Sequence, residues 1–345
     1  MGEGMSFKSV NLAVTLVAAS LCMGTAKGSE YYEGKTISVI VGNDAGSGYD
    51  AYARLLTRHM GKYIPGAPPF VVRNMPGAGS IVAAQHMSQV APKDGTAIAT
   101  LFPGALVEPL TGDPAKYRYD PTKFEYLGTA DSGTRLCFTM ASSPVKTIED
   151  ARTQKVIIAG TAAGSSTTDY AWFMNALAGT KFEVVTGYKG PGDIFLAMER
   201  GEAAGICSVD SGTLMTLRPD WLATGKINVL VQAALEPNPT FSKYGLPPLW
   251  DFIQGENRAV AELIVSQQVF GRPFLAPPGT SQEAMAILRK AFMDAMKDEA
   301  LLAEAAKMKL DINPRSGEEI AALVKKVYAS PADLIEKMKK ALRPG

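Results

Sequence analysis

Thr36-Ile37-Ser38-Val39-Ile40-Val41 runs straight into Gly42-Asn43-Asp44-Ala45-Gly46-Ser47-Gly48, after which the apolar residues fall at Tyr52, Leu55, Leu56, Met60 and Tyr63. The first run is β-branched and nearly continuous, as a buried strand requires. The last positions have the spacing of one helix face. Between them lies a turn of small and polar residues, so the segment predicts one strand–turn–helix unit. A chain built from such units predicts a mainly parallel sheet covered by helices.

The unit recurs. Phe70-Val71-Val72 reads as a strand and Asn74-Met75-Pro76-Gly77-Ala78-Gly79 as a turn, with a helix opening at Ser80 and turning Ile81, Ala84 and Met87 inward. The pattern restarts at Val156-Ile157-Ile158-Ala159. There it passes through Gly160-Thr161-Ala162-Ala163-Gly164-Ser165-Ser166-Thr167 into a helix carrying Ala171, Met174 and Leu177. A strand near Glu183 to Thr186, a helix from Asp193 to Arg200 and a strand from Ala204 to Ser208 continue it. The C-terminal part reads as helical, with capping boxes at Thr280 to Glu283 and Ser316 to Glu319. Tyr126 to Met140 reads as a strand leading out of a first lobe, and Ala259 to Leu275 as a strand leading back. Pro237 to Pro248 is the most loop-like interior stretch.

Residues 1–28 have the anatomy of a secretory signal peptide: Lys8, then an apolar run from Val10 to Met23, then small residues at Gly24, Thr25, Ala26 and Gly28. That run is shorter than the roughly 20 residues of a membrane span. Leu21 before Cys22 argues against lipid attachment. Residues 29–345 exceed the size at which a single core stops growing, so two lobes are expected. One comprises 29–131 with 260–345 and the other 132–259, each a mainly parallel sheet flanked by helices, joined by two crossover strands. With residues 1–28 removed, 33 basic and 33 acidic residues remain. That balance, with no basic run, argues against nucleic acid and anionic membrane as partners. His59 and His86 offer no metal spacing, so no metal and no cofactor are expected. Cys137 and Cys207 are left either as a disulfide of an oxidising compartment or as two buried thiols.

The glycine-rich turns are the candidate functional feature. Each joins the carboxyl end of a strand to the amino end of a helix, where unpaired N–H groups and the helix dipole receive an anion. Ser47, Ser165, Ser166 and Thr167 add hydroxyls. The same residues also serve as ordinary turn and cap residues. Catalytic patterns are missing: Gly46-Ser47-Gly48 lacks dinucleotide spacing, and Gly164-Ser165-Ser166 lacks both a phosphate-loop lysine and a nucleophile elbow. No catalytic residue is assigned.

The order of these segments resembles the extracytoplasmic solute receptors of tripartite tricarboxylate transporters, the Bug proteins, over essentially the whole chain after residue 28. The matching stretches are Gly48-Tyr49-Asp50 with Ala53-Arg54-Leu55, Arg73-Asn74-Met75-Pro76-Gly77-Ala78-Gly79, Pro92-Lys93-Asp94-Gly95-Thr96, the turn from Ala159-Gly160 to Thr167, Tyr188-Lys189-Gly190, Gly201-Glu202-Ala203, and Ala276-Pro277-Pro278-Gly279-Thr280. The resemblance implies a two-lobed periplasmic binding protein fold of type II-like form, closing on a ligand. Asn43, Ser47, Gly48, Tyr49, Asp50, Gly79 and Ser80 would line one wall and Thr161, Ser165, Ser166, Thr167 and Asp210 the other. It further implies a monomeric periplasmic protein, not an enzyme, that gives a small carboxylate to integral membrane transporter subunits. A sensing receptor and a secreted hydrolase are the alternatives. The first turn departs from the family's proline-rich form, and Asp44 within it leaves an amino, amide or hydroxyl group open as the one recognised.

Overall fold

The structure is a computed structural model and describes residues 1–2, 31–112, 116–162, 165–236, 238, 241 and 244–342. The expected signal peptide and the residues Ala163 and Gly164 of the second-lobe turn lie outside the described residues, as do parts of the 237–248 loop.

The opening unit folds as its sequence pattern predicts. β1 (Ile37–Val41) is buried, and α1 (Gly48–Met60) follows, with Ser47 as its N-cap and Tyr52, Leu55, Leu56 and Met60 against the core. β2 (Phe70–Asn74) leads through a single turn at Ala78–Ser80 to α2 (Ile81–Gln89), and β3 (Ala97–Thr100) leads to α3 (Pro103–Thr111). β1 pairs in parallel with both β2 and β3. β4 (Glu125–Thr129) ends this half of the chain.

β5 (Arg135–Met140) opens a second sheet. It is followed by α4 (Ile148–Thr153), β6 (Val156–Ala159), α5 (Ser166–Phe173), β7 (Phe182–Val185), α6 (Pro191–Glu199), β8 (Gly205–Asp210), α7 (Ser211–Leu217) and β9 (Ile227–Ala233). The chain then returns through α8 (Gly255–Phe270) to β10 (Pro273–Ala276), and ends in α9 (Gln282–Ala295), α10 (Glu299–Met308), β11 (Arg315–Ser316), α11 (Gly317–Tyr328) and α12 (Ala332–Leu342). The sheet orders are β11-β4-β10-β3-β1-β2 and β7-β6-β8-β5-β9. Each combines a parallel part, β3-β1-β2 or β7-β6-β8, with antiparallel strands supplied by the connecting segments. This is a two-sheet α/β fold with helices flanking both sheets.

Three readings are corrected. Ala259 to Leu275 does not return as one strand, because residues 255–270 form the 16-residue helix α8 and only Pro273–Ala276 is a strand. Val260, Ala261, Leu263, Ile264 and Val265 are all buried. A helix enclosed on most sides shows no 3.6-residue alternation, and its β-branched residues imitate a strand. Tyr126 to Met140 is likewise two strands in different sheets, parted at residues 130–134. The cap of α9 is Ser281, which accepts from the Ala284 N–H, while the Thr280 hydroxyl donates to the Pro277 carbonyl instead. The box at Ser316 and Glu319 forms as expected.

One apolar cluster passes from the first sheet to the second through α8 and α12, joining Leu101 and Tyr126 to Ile158, Tyr170 and Ile264. A second lies under α1 and α9, and a third surrounds Phe138, Phe195 and Trp221 beside the second sheet. Cys137 and Cys207, on neighbouring strands β5 and β8, are joined as a disulfide, which resolves the alternative left open by the sequence. Among the described residues no helix is long and apolar enough to cross a membrane.

Candidate functional site

The carboxyl ends of β3, β6 and β8 and the opening of α1 face one cavity of about 790 Å³. This is where open α/β sheets offer crevices to ligands. The cavity is lined from the first sheet by Tyr49, Gly79, Ile81, Phe102 and Arg272, and from the second by Arg135, Ser165, Ser166, Tyr170 and Ser208, with Gln268 of α8 closing the back.

The turns behave in two ways. Tyr49, Gly79, Ser165 and Ser166 are among the lining residues. Asn43, Ser47, Gly48, Asp50, Ser80, Thr161, Thr167 and Asp210 are not, and most are engaged with the backbone or with one another. Ser47 caps α1 through the Asp50 N–H. Asp50 is buried and accepts from the Gly46 N–H at 2.8 Å, Arg54 Nε at 2.9 Å and Asn74 Nδ2 at 3.1 Å, which together hold its carboxyl below the usual range against the opposing effect of burial. Ser80 is fully buried at φ 75°, donating to the Gly42 carbonyl at 2.9 Å and accepting from the Phe102 N–H at 3.0 Å. It thereby ties three strand ends together. Thr161, Ser165 and Thr167 bond one another inside their own turn, with Thr161 Oγ1 donating to Ser165 Oγ at 2.7 Å. Asp210 caps α7 through the Gly212 N–H and faces Arg135 at 3.5 Å. The exposed Asp44 is not in the lining. Short hydroxyl and carboxylate side chains satisfy local N–H groups before they can reach a ligand, so the turns mostly give shape.

The cationic groups are arginines that the sequence analysis missed. Arg272 follows Gly271 at the end of the return helix, and its guanidinium lies 4.5 Å from the Tyr49 ring centroid and 5.4 Å from that of Tyr52. Its Nε is buried and has no hydrogen-bond partner. Burial opposes its charge, but the oxygens of Tyr49, Asp210, Tyr52 and Asp131 outweigh burial and raise its pKa above the ordinary arginine value. Arg135 enters from the other sheet at the first position of β5. Ser208, held at φ 55° at the end of β8, has a buried and unpartnered Oγ. Three of the six buried unpartnered side-chain atoms among the described residues, Arg272 Nε, Ser208 Oγ and Gln268 Oε1, therefore belong to residues lining this cavity. Two of those atoms are donors, which suits an anion. A lone cation inside an apolar run, as in Phe270-Gly271-Arg272-Pro273-Phe274-Leu275 and Thr134-Arg135-Leu136-Cys137-Phe138, is the signal that would have found both arginines. Tyr49 and Phe102 stack with centroids 4.6 Å apart and form an apolar wall beside them.

Known proteins share the sequence pattern and the fold. The UPF0065 protein in gbd 5'region of Cupriavidus necator is 24% identical over 337 residues, covering 94% of each chain. A TctC solute binding protein from Polaromonas superposes with a TM-score of 0.69 at 19% identity, over 90% of this chain and 99% of that one. MatC from Rhodopseudomonas palustris, solved with bound malate, gives 0.58 at 20% identity over 87% and 99% of the two chains. These structures share the two-lobed periplasmic binding protein fold. The family described as tripartite tricarboxylate transporter family receptor matches residues 53–236, more than half of the sequence, and the chain belongs to that family of solute-binding receptors.

Proposed function

We propose that the protein captures a small carboxylate between its two lobes, residues 29–131 with 260–345 and residues 132–259, and gives it to membrane transporter subunits without chemical turnover. The observation that carries this reading is the pairing of Arg272 and Arg135 from opposite sheets across one cavity, with Arg272 Nε buried and unpartnered. A buried donor without an acceptor is costly, and an incoming carboxylate supplies one. Because the two arginines belong to different sheets, a carboxylate held by both favours closure. Tyr49, Phe102 and Ile81 accommodate the ligand's carbon skeleton, while Ser165, Ser166 and Ser208 offer hydroxyls. Malate is bound in the MatC structure, and a further Rhodopseudomonas palustris relative is solved with adipate, so short dicarboxylates are the first ligands to test. Secretion to the periplasm as a monomer, through removal of residues 1–28, completes the reading.

The test is a thermal-shift and calorimetric screen of the purified chain against malate, succinate, adipate, benzoate, glutamate and glutaramide. A ligand at about 100 times its Kd raises stability by roughly 2.7 kcal/mol. Shifts limited to the acids support the reading, and a shift with glutaramide alone overturns it.

A further inference from the structure

A second cavity, of about 480 Å³, opens at the segment joining the two sheets and shares only Gln268 with the arginine-lined one. Its lining is net acidic, whereas in the first cavity Arg135 and Arg272 are matched by Glu108 and Asp169. Asp131 and Asp311 line it with Glu236, and the one lining cation among the described residues, Arg315, is 3.5 Å from both Glu236 and Glu319. Asp210 stands directly behind: a side chain at Gly133 would meet Asp210 Oδ2 at 2.5 Å and Asp131 Oδ2 at 3.2 Å.

Two acceptors in this wall are buried without a donor. Asp131 is 3% exposed and its Oδ1 has no partner, and Gln268 is 7% exposed with Oε1 unpartnered. A protein that evolves only for stability does not leave a carboxylate in that position, since each unpaired polar atom is costly. Among the described residues no group of three acidic, histidine or cysteine side chains is close enough to hold a metal ion. Unpartnered acceptors of this kind are satisfied by a group that brings its own hydrogen-bond donors, and a cationic donor suits the carboxylate. Phe241 and Met215 add an apolar wall suited to a short methylene chain.

We propose that this cavity is a second ligand site, which takes a small organic cation bearing a primary ammonium group, with Asp131 as its principal acceptor. The site lies at the crossing between the two sheets, where the Asp131 carbonyl accepts the Arg272 N–H at 3.1 Å. Occupation therefore bears on the same segment that positions the anion-binding arginine.

Charge also makes the site sensitive to pH. Burial, then the charge of Asp210, pushes the Asp131 carboxyl up to about 7, with Asp311 adding to the rise and Arg272 and Arg135 opposing it. Tyr49 and Tyr52 also face it, and Glu236 and Arg315 lie across the cavity. A cation selects the ionised carboxylate, so binding strengthens as pH rises through that value.

The test is calorimetry of the full chain with putrescine, ethanolamine and agmatine as probes, at about pH 8 and about pH 5.5. At least one probe is expected to bind at the higher pH and to weaken on the order of 30-fold at the lower. Asp131→Asn should abolish that binding and Asp311→Asn weaken it. Phe102→Ala, which alters the arginine-lined cavity and does not line this one, should spare it while weakening malate binding, so a failure of this site is distinguishable from a failure of carboxylate capture. Absence of binding by all three probes at about 10 mM, a Kd unchanged by Asp131→Asn, or loss of the probe with Phe102→Ala would each overturn the proposal.

Discussion

Arg272→Met tests binding and folding side by side. The substitution keeps a long apolar side chain over Tyr49 and Tyr52 but removes the guanidinium, including the unpartnered Nε. A carboxylate that loses its charge-assisted bonds there should lose about 3 kcal/mol, or roughly 150-fold in Kd. The folded state responds as well: Asp210 and Asp131 lose the buried guanidinium that balances them, so a destabilisation on the order of 3 kcal/mol is expected, and affinity is read well below the variant's own Tm. The assay is calorimetry with malate and adipate beside thermal unfolding of the ligand-free chain. Arg272→Lys should fall between wild type and Arg272→Met, because an ammonium keeps the charge and loses the planar pair of donors. Wild-type affinity in Arg272→Met for an acid that binds the parent protein would refute the reasoning.

Gly271→Ala should destabilise by about 3 kcal/mol or more, because φ is 41° and the added carbon would collide with the Asp131 carbonyl; circular-dichroism melting would show it, and an unchanged Tm would contradict the close approach. The disulfide between Cys137 and Cys207 closes a loop over a separation of 70 residues, so replacing both by alanine should cost about 4 kcal/mol by chain entropy, and mass spectrometry under non-reducing conditions should find no free thiol at either position in the parent protein. Asp131 has its carboxyl raised to about 7 in the folded chain, which therefore holds more protons than the unfolded chain between about pH 4 and 7, and loses stability as pH rises across that window. Asp131→Asn should consequently raise Tm at about pH 8 and flatten its pH dependence; a lower Tm there would mean that the ionised carboxylate is stabilising.

The sequence by itself determined whatever depends on neighbours in the chain. Ile37–Val41 followed by Ser47 and the helix face of Tyr52, Leu55, Leu56 and Met60 is a local pattern, because strand burial, cap and helix period are written within about 25 residues. The same holds for Val156–Ala159 into α5 and for the box at Ser316. The order of such segments sufficed to recognise the receptor family. The turns' role was only half legible: their hydroxyls and carboxylates mark where strands end, but the partners they choose are settled by distance in space. Ser80 bridging Gly42 and Phe102 is an instance. Tertiary structure alone decided that residues 255–270 coil, because a segment buried on most sides carries no periodic signal and packing overrides β-branched propensity. It also decided the site's charge. Arg135 and Arg272 lie far apart in sequence and are brought to one cavity by the chain's two crossings between the sheets, while Asp131, beside the same crossing, is buried among other carboxylates and held away from its ordinary pKa. Desolvation and long-range Coulomb forces depend on what surrounds a group in three dimensions, and no spacing along the chain encodes that.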